Sequence, residues 1–172
     1  MSKSNKRFQF EQLEPRQMMA GDVTAVLQNG NLYLTEAKGQ IGRDNGILVS
    51  ELTNGKIHIQ GTAVTGTASK INGQPSQDFL MTGSLFVSFG AGNDRVEFSA
   101  IGPVISLQSI DLNLGPPTVT AGVSDNDSVS VANVKTAAGL SISPSMADPI
   151  SIAPLTAFHR KTAPSKRRME TP

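Results

Sequence analysis

Apolar residues in this chain recur at every second position in short runs, and Gly, Asn and Asp separate the runs. A period of two puts successive side chains on opposite faces of an extended chain, so each run predicts a half-buried strand. Val23, Ala25 and Leu27 lead into Asn29-Gly30, and Leu32 and Leu34 lead out of it. The same order returns 25 residues later, where Leu52-Thr-Asn54-Gly55-Lys-Ile57-x-Ile59 repeats Leu27-Gln-Asn29-Gly30-Asn-Leu32-x-Leu34. Asn-Gly accepts positive φ at both centres of a two-residue turn, which predicts tight hairpins. Ile71-Asn72-Gly73 is a fainter third copy. Further strands are predicted at 84–89, 95–98, 105–114 and 128–134, the third carrying the alternation Ile110, Leu112, Leu114. No run of ten or more residues shows apolar spacing of 3.6, so helix is predicted to be minor. The fold class expected is all-β: a right-handed solenoid of short strands, β-helix or β-roll in kind, with a β-sandwich as the alternative.

The pattern stops after Ser141. Pro144, Pro149, Pro154 and Pro164 follow, and the chain closes on Arg160-Lys161 and Lys166-Arg167-Arg168 with no apolar face beside them. Proline removes the amide that a strand ladder needs. The organisation expected is a basic leader over 1–20, a β-rich domain over 21–144 and a Pro-rich, basic, disordered tail over 145–172. The abrupt change of composition suggests a chain cut short, as a truncated member of a longer family or through a shifted reading frame.

Charge refines this division. The formal net charge is +1 over 172 residues, but residues 21–156 hold six Lys/Arg against eleven Asp/Glu while both ends are basic. An acidic body with one Tyr, no Trp and no basic stripe lacks the cations that phosphate binding needs, which excludes a nucleic-acid surface. Cysteine is absent, so disulfides, thiolate metal sites and a Cys nucleophile are excluded together. The basic tail suits acidic surface polymers or polysaccharide, although such runs are commonly just solvated.

The leader is not a standard secretory signal. Such a signal needs an apolar stretch of roughly 7 to 15 residues, and this segment is interrupted by Glu11, Glu14, Pro15 and Arg16. No apolar stretch is long enough for a membrane-spanning helix. From its residues alone the segment reads as a charged, disordered leader. However, Leu13-Glu14-Pro15-Arg16-Gln17-Met18-Met19, followed by Gly21-Asp22-Val23, resembles the Leu-Glu-Pro-Arg-x-Leu-Leu motif near the N-terminus of large planctomycete exported and surface proteins. Met18 and Met19 stand where that motif has leucines, a change conservative in size and polarity. The resemblance covers about 15 residues and implies engagement of export machinery and an extracellular or cell-surface destination. The body also resembles such surface proteins loosely in its repeats, which implies a stabilising or adhesive role.

The sharpest chemical feature is Phe89-Gly90-Ala91-Gly92-Asn93-Asp94-Arg95-Val96-Glu97. It resembles the calcium-binding nonapeptide Gly-Gly-x-Gly-x-Asp-x-(apolar)-x of RTX proteins at every fixed position but the first, where Phe89 replaces Gly. Glycines let the backbone curl so that carbonyls point inward, Asp94 offers a hard anionic oxygen, and Val96 begins a buried strand. In that family an ion lies between consecutive turns. Here the second turn would be Gly122-Val-Ser-Asp125-Asn126-Asp127-Ser-Val129, which keeps Asn-Asp-x-Val and lacks the inner glycines. The calcium ligands this implies are Gly90, Gly92, Asn93, Asp94, Asp125 and Asp127. The alternative is a Gly-rich turn in which Asn93 and Asp94 bond their own backbone. Asp44-Asn45-Gly46 has the same ambiguity, and three such turns along one edge of a solenoid would attract cations by summed charge.

Other chemistry is thinly supplied. His58 alternates with Ile57 and Ile59 and so faces solvent, and His159 lies in the tail, which makes a poor metal pair. No Gly-x-Ser-x-Gly elbow occurs, and the Gly-rich turn lacks the third Gly, the Lys and the helix of a phosphate site. No catalytic residue is assigned. The function expected is a non-enzymatic exported or surface β-module with weak calcium binding at its turns. The rival is a fragment of a carbohydrate-active β-helix, which would need Asp44, Asp94, Asp111, Asp125 and Asp127 to converge in one groove. A truncated product without function is the third reading.

Overall fold

The computed structural model describes residues 21–40, 42–115, 126–143 and 150–152. The leader with its Leu13 to Met19 motif, Asp125 and nearly all of the tail lie outside them. Among the described residues there is no helix, and therefore none long and apolar enough to cross a membrane.

The strands are β1 (Val23–Gln28), β2 (Asn31–Glu36), β3 (Gly46–Glu51), β4 (Ile57–Gly61), β5 (Ser76–Phe79), β6 (Leu85–Ser88), β7 (Arg95–Phe98), β8 (Ile105–Asn113), β9 (Ser128–Val131), β10 (Val134–Ser143) and β11 (Ile150–Ile152). They form two mixed sheets, one ordered β1-β2-β6-β8-β10 and the other β11-β9-β7-β3-β4-β5. From β6 onward the chain crosses to the other sheet at every strand. As a result β2, β6, β8 and β10 lie parallel in one sheet, and β3, β7, β9 and β11 lie parallel in the other. The antiparallel pairs are local hairpin partners, β1 on β2 and β5 on β4 on β3.

The alternation read from the sequence sets which face is buried. Leu32, Leu85 and Ile110 stack in register, as do Leu34, Val87 and Leu112 beside them; Ile47, Val96 and Val129 form a column in the second sheet, next to Val49, Phe98 and Val131. Both sheets turn these columns into one buried cluster, closed at β10 by the partly buried Leu140 and Ile142.

The three Asn-Gly turns differ in geometry. Asn29-Gly30 and the fainter Asn72-Gly73 both take positive φ at both positions, the mirror-image turn expected of tight hairpins. At Asn54-Gly55 only Gly55 does, and the loop closes instead through Leu52 N–H to the Lys56 carbonyl at 2.8 Å. The predicted strand 128–134 is broken at Asn133, whose φ of 54° ends β9 and restarts the chain as β10 in the other sheet. β3, β5 and most of β10 were not legible as strands. β11 lies inside the segment assigned to the tail.

Asn72 also closes the outer edge of β1. Its side chain accepts from Ala25 N–H at 2.9 Å and donates to the Ala25 carbonyl at 2.9 Å, while Val23 N–H bonds the Lys70 carbonyl at 2.8 Å. A side-chain amide thus imitates a strand residue and covers an edge that would otherwise template aggregation. Asn72→Ala removes both bonds and the left-handed tolerance at φ 49°. A loss of about 1 to 3 kcal/mol is expected in urea melts, with faster aggregation at the midpoint.

Candidate functional site

β3, β7 and β9 are each approached through two polar residues: Asp44-Asn45, Asn93-Asp94 and Asn126-Asp127. The parallel register that sets Gly46 beside Arg95, and Arg95 beside Ser128, places these pairs on top of one another. Two side-chain ladders result, running in opposite directions. In the first, Asn93 N–H donates to Asp44 Oδ1 at 2.8 Å and Asn126 N–H to Asn93 Oδ1 at 2.9 Å. In the second, Asn45 N–H donates to Asp94 Oδ1 at 2.8 Å and Asp94 N–H to Asp127 Oδ1 at 2.8 Å. Between them the main-chain ladder continues, with Arg95 N–H on the Asn45 carbonyl at 2.7 Å and Ser128 N–H on the Asp94 carbonyl at 2.8 Å.

The physical reason is amide satisfaction. At the bend before each strand the regular ladder has not begun, and a buried N–H without a partner is costly. Asn and Asp are short enough to reach a neighbouring backbone. Sequence reasoning expected Asn93 and Asp94 to bond their own backbone as one alternative; they bond the turns above and below instead. The repeat Asp-Asn-Gly-Ile, Asn-Asp-Arg-Val, Asn-Asp-Ser-Val was the available signal.

The corner is buried and tied to the other sheet. Asp94, Asn45, Asp127 and Asp44 are all buried. The Asn45 side-chain amide lies 3.1 Å from Glu36 Oε1 at the end of β2, 2.9 Å from the Arg43 carbonyl and 3.1 Å from Asp94 Oδ1. Thr65 donates its hydroxyl to Asp44 Oδ2. Burial pushes the Asp94 carboxyl up to about 8, against the lowering effect of its bonds from Asn45, and the nearby Asp127 and Glu36 charges add to the rise. Asp94 Oδ2 and Asn45 Oδ1 are buried with no hydrogen-bond partner. A carboxyl so placed keeps its proton through neutral pH.

The glycines of the nonapeptide have separate reasons. Gly92 sits at φ 139°, and a Cβ there would lie 2.6 Å from the Arg43 carbonyl oxygen, so the preceding turn can approach only a glycine. A Cβ on Gly90 would meet Glu36 Oε2 at 2.6 Å, a side-chain end that can move. Val96 is fully buried.

Of the carboxylates named from sequence, Asp44, Asp94 and Asp127 meet at this corner. Asp111 does not; it is exposed on β8 in the other sheet. His58 lies on the outer face of β4, bonded through Nδ1 to Asp78 Oδ1 at 2.5 Å. The register sets Ser50, His58 and Asp78 in one row across β3, β4 and β5, a grouping visible only once strand pairing is known. No hydrogen bond joins Ser50 to His58 among the described residues, so the row lacks the nucleophile-to-base link of a catalytic triad. Among the described residues no group of three or more His, Cys, Asp or Glu side chains is arranged around a common metal position.

No family model, curated protein or solved structure matches this chain.

Proposed function

We propose that this chain is a non-enzymatic structural or adhesive β-module of an exported or cell-surface protein, built as a right-handed solenoid in which each turn supplies a strand to either sheet. The alternation of the chain between two sets of parallel strands supports the solenoid. The observation that carries the functional reading is the corner itself: Asp44, Asp94 and Asp127 are buried and each accepts a main-chain amide from a neighbouring strand approach, which suits a lock between turns. The resemblance of residues 13–19 to an export motif supplies the destination.

Calcium is the cofactor of this reading. Asp94 would hold it through its unpartnered Oδ2, with Asn45 Oδ1 as a second oxygen and Asp127 and Glu36 as nearby charge. When bound, calcium supplies the positive charge that the buried Asp94 carboxylate lacks. With calcium at about ten times the dissociation constant, linkage predicts roughly 1.4 kcal/mol of added stability for one site. A raised melting midpoint in calcium over EDTA, lost in Asp94→Ala, is the expected result. A cooperative β-type melt indifferent to calcium would reduce the corner to a hydrogen-bonded lock. Secretion of a reporter fused to residues 1–22, abolished by Arg16→Ala, tests the destination.

A further inference from the structure

β10 follows β8 in register from Val134 beside Ile105 to Thr136 beside Leu107, and resumes with Gly139 beside Ser109. Two residues of β10, Ala137 and Ala138, thus oppose the single Gln108, which is a β-bulge. Gly139 lies at φ 135°, and no atom comes within 4 Å of where its Cβ would stand. The bulge and the missing side chain leave a pocket of about 250 Å³ on the surface of this sheet, walled by Phe86, Ser109, Asp111, Ala138, Gly139 and Ser141 among others.

The walls have a definite chemistry. The register lines up Tyr33, Phe86, Asp111 and Ser141 across β2, β6, β8 and β10. Tyr33 stacks on Phe86 with ring centres 4.9 Å apart and planes within 9°, so one face of Phe86 is covered on the β2 side while the ring borders the pocket on the β8 side. Asp111 is exposed, and the Ser109 hydroxyl donates to Ser84 Oγ at 2.7 Å, which leaves its lone pairs to accept. Among the described residues no cationic side chain lines the pocket.

We infer that this pocket is a saccharide subsite, in which the apolar C–H face of one pyranose ring lies against Phe86 and adjacent sugar hydroxyls donate to Asp111, with Ser109 and Ser141 as neutral partners. A carboxylate accepts two hydroxyl donors at once, and such charge-assisted bonds fix orientation. The volume is below the roughly 300 to 1,000 Å³ of drug-sized ligand sites, which suits a single ring of a polymer. A methylated ammonium would use the ring and the carboxylate but not the two hydroxyls. The inference rests on the adhesive reading for its biological setting and gives that reading a ligand class.

Tyr33 is the single tyrosine and there is no tryptophan, so intrinsic fluorescence reports from the stack beside this pocket. The experiment is titration of the full chain with cellohexaose, maltohexaose and N-acetylchitohexaose, following Tyr33. The expected result is a saturable change with at least one of them, weakened tenfold or more in Asp111→Ala, whose calcium-dependent melt should match the parent and so certify its fold. No change with any of the three, equal affinity in Asp111→Ala, or a response to tetramethylammonium instead of sugar would each overturn the subsite. Retention on insoluble envelope polysaccharide with silent Tyr33 fluorescence and no effect of Asp111→Ala would leave the adhesive reading standing and remove this pocket from it.

Discussion

In calcium-free buffer the stability of this protein is expected to fall steadily as pH rises from about 4 to about 8, and then to level off. The cause is Asp94. Its carboxyl titrates at about 8 in the folded chain against an ordinary value of 3.8. Between those values the folded state holds a proton that the unfolded chain has released, so raising the pH favours unfolding. The contribution is fully present below pH 4 and is lost as pH passes through the folded value. Each pH unit across the window costs at most about 1.4 kcal/mol, so the whole effect is on the order of several kcal/mol.

Two variants separate the charge from the hydrogen bond. Asp94→Asn keeps an oxygen for the Asn45 amide and cannot ionise, so its stability should be nearly flat over this range and exceed the parent's at pH 9. Asp94→Ala leaves the Asn45 amide unpaired and should lose about 1 to 3 kcal/mol against the parent at pH 4; having no carboxyl to ionise, it should be as flat as Asp94→Asn and lie below it across the range. Calcium at 10 mM, about ten times the weak end of extracellular affinities, should restore roughly 1.4 kcal/mol of the parent's loss at the alkaline end by taking the proton's place. Urea melts from pH 4 to pH 9, with EDTA or with calcium, measure all of this. A parent profile that rises with pH would show that Asp94 is ionised and otherwise compensated.

The second large effect is expected at Gly92. Gly92→Ala forces a side chain to φ 139° and drives its Cβ to 2.6 Å from the Arg43 carbonyl oxygen, a backbone atom that cannot move without shifting the turn. A residue other than glycine in so sparsely populated a region costs about 1 to 3 kcal/mol before any clash, and the clash adds to it. The control is Gly39→Ala, which also has positive φ, 84°, but no atom within 4 Å of the new carbon. It should lose only about 1 kcal/mol. The difference between the two variants measures the close approach of the Arg43-Asp44 turn. Equal losses would mean that the two turns do not pack as described.

Much of this was legible beforehand. Alternation identified β1, β2, β4, β6, β7 and β8 because a sheet with one buried face writes its pattern into every second residue. It missed β5, whose Ser76-Gln-Asp-Phe79 is polar at three of four positions and is held by pairing with β4. It also missed most of β10, where Gly139 and the bulge interrupt the period. Ser128 to Val134 reads as one strand because nothing in the alternation reveals that Asn133 turns left-handed.

The sequence by itself determined the all-β character, the buried aliphatic positions and the kind of chemistry that the Asn-Asp turns contain, since these depend on local period and residue type. Only the tertiary structure decided that Asp44, Asn93 and Asn126 form one ladder and Asn45, Asp94 and Asp127 another, because that follows from parallel register between strands distant in the chain. The same register separates Asp111 from the other carboxylates and aligns it with Phe86. Pairing across such separations is set by the packing of the whole core, and no window of neighbouring residues carries it.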